Sequence, residues 1–414
     1  SGTAKMSRGT SYEGILNTHV TWREFEANLA KALKTAARLG PSKSALDIGE
    51  GDDFSSICAL IECDWQGDGA EKLPKKVVLK MSSCLAIISL SDGMPDEVVE
   101  MVAENMKAMH NIECDTYDFL DQFGERNSIP KRYFAKRFDD KNVLIGEICM
   151  EHVENGRMMN FAEKAPLELM KQIARSLGKV HAYSVKHEVR SDILRTKDVF
   201  GEFVRSTPKE QYMTMFEPVK FIDSSLSEMV KKVEPLLEAY YGTTLPSTIH
   251  QQLGLRPVLV NGDAENILID KDSGDLRALI DWQCAHFGSG VEDLLRISFF
   301  AQTTEDRRAS ADVLLEEMYS AFVANLADTP APYTLKTLKD VYELLFPHCA
   351  LFFAFGLSVS MLPNMPIPGD DSDEKKSRWG VMVDKARGLL EDIAVYHENN
   401  KSSKLRVTWT YPEA

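Results

Sequence analysis

The sequence lacks any excess of basic charge. Its 414 residues include 48 Lys and Arg against 63 Asp and Glu, which gives a formal net charge of −15. A chain this acidic repels the phosphate backbone of nucleic acids unless its basic residues are segregated, and here they are spread along the chain. We therefore expect no nucleic acid among its partners.

Cysteine pairs and long apolar runs are also missing. The seven cysteines are scattered and no two form a C-x-x-C pair, which is typical of buried thiols in a reducing compartment. The longest predominantly apolar run, residues 349–362, is shorter than the ~20 residues that span a bilayer and indicates a core helix. No basic-then-apolar leader pattern opens the sequence. We expect a cytoplasmic protein that has no membrane partner.

The patterns that are present indicate an α+β protein. Apolar residues make up 44% of the chain, which excludes a disordered protein. Short β-rich runs and one helical segment, residues 95–123, fill the first third, and mostly helical periodicity follows. We expect a small β-rich N-lobe over residues 6–153 and a large, mainly helical C-lobe over residues 154–405. Later helices are predicted at 209–241, 308–326, 335–357 and 376–399.

A β-rich island, residues 257–282, interrupts the helical half and carries three chemically suggestive residues. Asp263 follows its first strand, Asn266 lies just beyond, and Asp281 ends the last strand. Phosphoryl transfer needs one carboxylate to orient or deprotonate the attacking hydroxyl, and an Asn and a second carboxylate to hold Mg²⁺ against nucleotide phosphates. Asp and Asn are also common turn formers, so a simple hairpin would account for the same residues.

This island resembles the choline kinase and aminoglycoside phosphotransferase superfamily, and within it the ecdysteroid-kinase-like (CHK kinase-like) group. Asn261-Gly-Asp263-x-x-Asn266 and Ile-Asp281-Trp are similar to H-G-D-x-x-x-x-N and I-D-W, and residues 282–294 are similar to W-Q-x-x-x-x-G-S-P-x-E-D-L. The resemblance implies a bilobal protein-kinase-like fold with an ATP·Mg²⁺ cleft between the lobes. It implies Asp263 as the catalytic base and Asn266 and Asp281 as metal ligands.

Other landmarks occur in the order that the resemblance requires. Lys80 ends an apolar strand and resembles the lysine that bridges the α- and β-phosphates, with Glu113 as its helix partner. Taken alone, a lysine at a strand end is more often a solvated charge. The remaining implied ATP-binding residues belong to the nucleotide loop and to the interlobe hinge: Gly49, Gly51, Ser55, Glu151 and Val153.

The chain departs from the family motif in two ways. Asn261 replaces a histidine that is mainly architectural, and Asn266 follows Asp263 by three residues where the family has five. A loop two residues shorter displaces the Asn by several ångströms at ~3.3 Å per residue. Either the strand register compensates for this, or Glu265 becomes the nearby oxygen ligand.

These observations leave two main functions open. We expect an ATP- and Mg²⁺-dependent phosphotransferase acting on the hydroxyl of a small-molecule alcohol; no A-P-E segment follows Asp281, which disfavours protein substrates. The alternative is a kinase-fold binding protein with little or no turnover, because its catalytic loop is altered. A helical receptor domain would explain the helical half but not the acidic island.

Overall fold

The computed structural model describes residues 13–49, 56–84, 95–123, 128–263, 265–366 and 372–408. The chain divides into two compact units, residues 1–154 and 155–414. The first is β-rich and the second is mainly helical, so the expected α+β class is confirmed.

The first unit is built on a five-stranded antiparallel sheet with the strand order β2-β3-β5-β7-β6. A separate pair, β1 and β4, lies beside the first helix. The strands are β1 (Arg38–Leu39), β2 (Ser44–Asp47), β3 (Ser56–Glu62), β4 (Trp65–Gln66), β5 (Lys76–Ser83), β6 (Arg132–Lys136) and β7 (Ile145–Glu151). The helices are α1 (Trp22–Leu33) and α2 (Asp96–Leu120).

Strand alternation gives β5 two different faces. Leu79 and Met81 pack with Phe25 and Leu29 of α1 in a fully buried core. Because successive side chains of a strand point to opposite faces, the residue between them, Lys80, faces the other side of the sheet. Helix α2 contacts β5, β6 and β7 there.

The second unit consists of helices around two small antiparallel sheets, β8-β10-β11 and β9-β12. Helix α3 packs along α11, and α12 packs against α10 and α13. The helices are α3 (Leu167–Lys186), α4 (Asp192–Thr196), α5 (Val199–Ser206), α6 (Lys209–Phe216), α7 (Val219–Ile222), α8 (Ser224–Tyr240), α9 (Leu245–Gln252), α10 (Val291–Ala301), α11 (Thr304–Asn325), α12 (Leu335–Met361) and α13 (Asp373–Asn400). The strands are β8 (Gly156–Met158), β9 (Val258–Val260), β10 (Ile267–Asp270), β11 (Leu276–Leu279) and β12 (His286–Gly288).

The single helix predicted over residues 209–241 is wrong, because the structure divides this segment into α6, α7 and α8. Pro218 has no backbone N–H to continue α6, and it lies just before α7. Asp223 is extended and its side chain accepts a hydrogen bond from the Ser225 N–H at 2.8 Å, which starts α8. The other predicted helices are present with ends shifted by a few residues.

One described helix, α12 with the turn that continues it to Asn364, is long and apolar enough by length and composition to cross a membrane. Within its most apolar stretch, 72% is buried inside the protein. The apolar run 349–362 is therefore part of a core helix of the second unit.

Candidate active site

The first unit contains a buried ion pair. Lys80 Nζ lies 2.8 Å from Glu113 Oε2, although the two residues are 33 positions apart. Lys80 is 5% exposed and Glu113 is 1% exposed. Charged groups are rarely buried to this extent unless they are paired, so the fold holds the Lys80 ammonium in a fixed position on the α2 face of the sheet.

Three of the other predicted ATP-binding residues lie in the described part of the chain. The Gly49 N–H donates to Asp47 Oδ1 at 2.9 Å just after β2. Glu151 ends β7, and both its N–H and its carboxylate bond to the backbone of Lys131. Val153 follows β7 and is half-buried. Gly51 and Ser55 lie outside the described residues.

In the second unit, a tight turn after β9 presents Asp263. Gly262 has a φ of +77°, and a Cβ at this position would lie 2.4 Å from the Cys284 carbonyl oxygen. Only glycine satisfies both conditions. Asn261 fixes the two sides of the turn, because its Nδ2 donates to the Ile280 carbonyl at 3.3 Å and its Oδ1 accepts the Asp263 N–H at 3.1 Å.

Asp293, on the first turn of α10, holds the backbone of this loop. Its two carboxylate oxygens accept the backbone N–H groups of Asn261 and Gly262 at 2.9 and 3.0 Å. Burial raises the pKa of Asp293 to about 6, and the two backbone hydrogen bonds oppose that shift. The loop that carries Asp263 is therefore held by a buried carboxyl group.

The strand register places the Asn266 backbone opposite Ile280, the residue before Asp281. Ile267 is paired with Leu279, and the Ile280 N–H donates to the Asn266 carbonyl at 3.1 Å, so the β10–β11 ladder continues past both strand ends. Asn266 thus lies opposite Ile280, one residue from Asp281. Asp281 has a left-handed backbone, with φ 56° and ψ 69°, a conformation that is uncommon for residues other than glycine.

The chemistry of these donors suits a hard cation. Mg²⁺ is usually held by one or two carboxylates together with phosphate and water oxygens. Asp281 and Asn266 offer one carboxylate and one carboxamide oxygen. Within the described part of the chain, no three His, Cys, Asp or Glu side chains come together as a metal cluster.

Negative charge is concentrated around the loop. Desolvation raises the pKa of Glu265 to about 7. The charge of Asp263 adds to the shift, and Arg296 opposes it. Burial is also the main reason why the pKa of the Cys284 thiol is raised well above its usual value, and Asp263 and Asp281 add to the effect. The two aspartates therefore share one electrostatic environment.

A buried histidine lies behind the loop. His286 Nδ1 is 3.1 Å from the Cys284 carbonyl oxygen, the atom that limits the space at Gly262. Its Nε2 lies 3.4 Å from Glu292 Oε2. Burial alone would lower the pKa of His286, but the carboxylates of Asp198 and Glu292 outweigh it and raise the pKa to about 9.

Sequence reasoning missed the roles of Asp293 and His286. Asp293 falls inside the stretch that resembles the E-D-L signature, and that stretch was the only available signal for it. His286 has no local signal, because its environment is formed by residues from α5 and α10.

Comparison with known proteins gives one curated relative, an uncharacterized kinase-like protein of Caenorhabditis elegans. It is 21% identical over 333 residues, which cover 78% of this chain and 85% of the relative. The kinase-like designation agrees with the resemblance predicted from the sequence.

Similar solved structures include the choline kinase of Cryptosporidium parvum, at 11% identity and a TM-score of 0.46, with 87% of this chain and 93% of that chain covered. A putative aminoglycoside phosphotransferase of Ralstonia eutropha is 12% identical with a TM-score of 0.44, covering 90% of this chain and 98% of that one.

The family comparison covers almost the whole chain. A family model, DUF1679, described as "Uncharacterized oxidoreductase dhs-27", matches residues 10–401, which cover most of both units and every residue of the candidate site. This chain belongs to that family.

Proposed function

We propose that this protein is an ATP- and Mg²⁺-dependent phosphotransferase of the ecdysteroid-kinase-like type, cytoplasmic, whose acceptor is the hydroxyl of a small molecule. The observation that carries the proposal is the buried Lys80–Glu113 pair, with its 2.8 Å contact. Lysine is a usual binder of nucleotide phosphates, and a carboxylate that fixes its ammonium group prepares it for that role.

The second unit supplies the groups that would act on the acceptor. Asp263 would accept the hydroxyl proton while the hydroxyl oxygen bonds to the γ-phosphorus and the bond from that phosphorus to the ADP oxygen breaks. Asp281 and Asn266 would hold Mg²⁺, which when bound neutralises phosphate charge. Asp293 keeps the Asp263 loop in place before the substrate arrives, so little reorganisation is left for the reaction step.

Two other functions compete with this one. The altered catalytic loop favours a kinase-fold protein that binds nucleotide without turnover. The family description names an oxidoreductase, but no G-x-G-x-x-G fingerprint of dinucleotide binding occurs in the sequence. The kinase-like relative also supports the phosphotransferase.

The test is calorimetric titration of the protein with ATP, with and without Mg²⁺, and with NADPH as the competing ligand. We expect ATP binding that strengthens with Mg²⁺ and no NADPH binding. Asp281→Asn should weaken the Mg²⁺-dependent part, because it removes a hard anionic ligand. Asp263→Asn should bind ATP normally and lose turnover, since its role belongs to the transition state.

Asp272→Asn, in the exposed turn between β10 and β11, is the matched control and should change neither property. Absence of ATP binding, or tighter binding of NADPH, would overturn the proposal. ATP binding that ignores Mg²⁺, with no turnover on any alcohol library, would favour the non-catalytic alternative.

A further inference from the structure

Arg296 is a mostly buried cation near the Asp263 loop that forms no hydrogen bond to any other described residue. It lies on α10, its side chain is 13% exposed, and its nearest carboxylate oxygen, Glu292 Oε2, is 4.0 Å away. Its Nε is buried and unbonded within the described part of the chain. Buried polar atoms are usually hydrogen-bonded, so the unbonded Nε of this guanidinium group requires an explanation.

Ion pairs with the neighbouring acids do not account for the buried charge of Arg296, because each acid lies closer to another basic side chain. Glu292 lies 3.4 Å from the His286 ring, nearer than it lies to Arg296. Asp198 accepts the Gly201 N–H at 2.8 Å and lies 3.6 Å from Arg205. Both acids thus lie nearer to another basic side chain than to Arg296.

An aromatic surface lies next to this cation. The guanidinium carbon of Arg296 is 5.4 Å from the ring centre of Phe352 on α12. The Phe200 ring on α5 is 6.4 Å from the Phe352 ring. Both phenylalanines are only partly buried, in contrast to Phe299 and Phe300 of the neighbouring core.

Arg296 is also close to the Asp263 loop. It lies one helical turn after Asp293, whose carboxylate accepts the backbone N–H groups of Asn261 and Gly262 at 2.9 and 3.0 Å. A ligand bound to Arg296 and lying on Phe352 would thus lie beside the Asp263 loop.

We propose that Arg296, Phe352 and Phe200 bind the acceptor, and that the acceptor is a carboxylate joined to a flat apolar body that bears the hydroxyl. A planar guanidinium matches a carboxylate with two parallel hydrogen bonds, and aromatic rings favour a flat partner. This inference rests on the proposed phosphotransferase function and specifies its substrate class.

The first experiment uses three probes of the same shape and different charge on the unmodified protein: para-(hydroxymethyl)benzoate, the corresponding benzamide and the corresponding benzylamine. Saturation-transfer NMR and calorimetry would measure their affinities in the presence of ATP·Mg²⁺. We expect the benzoate to bind about tenfold or more tightly than the amide, as for a charged hydrogen bond. Equal affinities, tighter binding of the amine, or no binding of the benzoate at millimolar concentration would overturn the inference.

The second experiment uses variants. Arg296→Met should lose the preference for benzoate over benzamide, and Phe352→Leu should weaken both probes equally while the preference remains. Arg378→Met, an exposed arginine on α13, is the matched control and should leave all three affinities unchanged. If Arg296→Met fails to fold, the probe series on the native protein and Phe352→Leu decide the question.

Measuring ATP binding in parallel separates the two proposals. Binding of ATP without a preference for benzoate contradicts only the substrate class. Preference for benzoate without ATP binding contradicts the phosphotransferase and leaves the carboxylate site. Loss of ATP binding in Arg296→Met, with benzoate affinity unchanged, would show that Arg296 contacts nucleotide phosphate and would overturn the acceptor role.

Discussion

Gly262 offers a test of the Asp263 loop at the scale of one residue. Gly262→Ala should destabilise the protein by on the order of 3 kcal/mol or more, because it combines left-handed strain with a clash. Gly274 has nearly the same φ, +76°, and nothing lies within 4 Å of its Cβ position. Gly274→Ala should therefore cost only about 1 kcal/mol.

Urea unfolding of both glycine variants measures the difference. Similar losses in the two would show that the contact between Gly262 and the Cys284 carbonyl oxygen does not restrict the loop.

The Lys80–Glu113 pair predicts a second single-residue effect. Lys80→Met removes the ammonium group that lies 2.8 Å from the buried Glu113 carboxylate, and we expect a loss of about 3–5 kcal/mol in the free energy of unfolding. The double variant Lys80→Met/Glu113→Leu should recover most of that loss, but neither variant should bind ATP normally.

Lys76→Met is the control for this pair, because Lys76 lies on the same strand and pairs with Glu62 in an exposed bridge. We expect little measurable change in the free energy of unfolding of Lys76→Met. Thermal and urea unfolding, with ATP calorimetry, give the readouts. Normal ATP affinity in folded Lys80→Met would contradict the phosphate-binding role.

At the scale of elements, His286 links β12 to α5 and α10 through charge. Its pKa is raised above the unfolded value, from 6.5 to about 9, so the stability it contributes is present below pH 6.5 and is lost as pH rises through 9. We therefore expect the stability difference between wild type and His286→Gln to shrink over that interval.

The stability difference between wild type and His286→Gln is the correct readout, because the contribution of Lys385 changes with pH in the opposite direction and cancels in that difference. Burial lowers the pKa of Lys385 to about 7, so its contribution rises with pH above that value. Urea unfolding across the interval measures the difference, with exposed His187→Gln as the control. A difference that does not vary with pH would show that His286 is not charged in the folded protein.

Most elements could be predicted from local pattern, but their partners could not. Helical periodicity over residues 95–123 and 335–357 corresponds to α2 and α12, since a buried stripe recurs every turn. The pairing of β5 with β7 joins strands more than sixty residues apart, and no local pattern specifies it. Lys385 is similar: its ammonium group donates to the carbonyls of Phe161 and Phe300, which only the folded chain brings to it.

The candidate site also contains some residues that the sequence could identify and some that it could not. Polar residues at strand ends are a chemical signal, and this signal identified Asp263, Asn266 and Asp281. Lys80 and Glu113 were identified because they occur in the order that the family resemblance requires. Sequence alone could not show that the β10–β11 register places Asn266 opposite Ile280, because a β-ladder depends on both strands. Nor could it assign Asp293 and Arg296, whose roles arise from burial beside distant segments.

For the molecule as a whole, the central question is whether the short loop that carries Asp263 supports turnover. The β10–β11 ladder holds Asn266 opposite Ile280, so a loop shorter by two residues affects the Asp263 side and not the Asn266 side. Two glycines inserted between Asp263 and Asn266 should therefore leave ATP·Mg²⁺ affinity nearly unchanged. Because Asp263 is then less firmly held, we expect turnover to fall about tenfold or more.

ATP consumption with a library of hydroxyl compounds measures this effect, and calorimetry confirms that nucleotide still binds. Asn261→His restores the family residue at the same loop length. This second variant removes the two side-chain bonds of Asn261 and tests whether they are needed. A rise in turnover after the insertion would mean that the natural loop is too short for catalysis. The protein would then be a kinase-fold binder that has lost its chemistry.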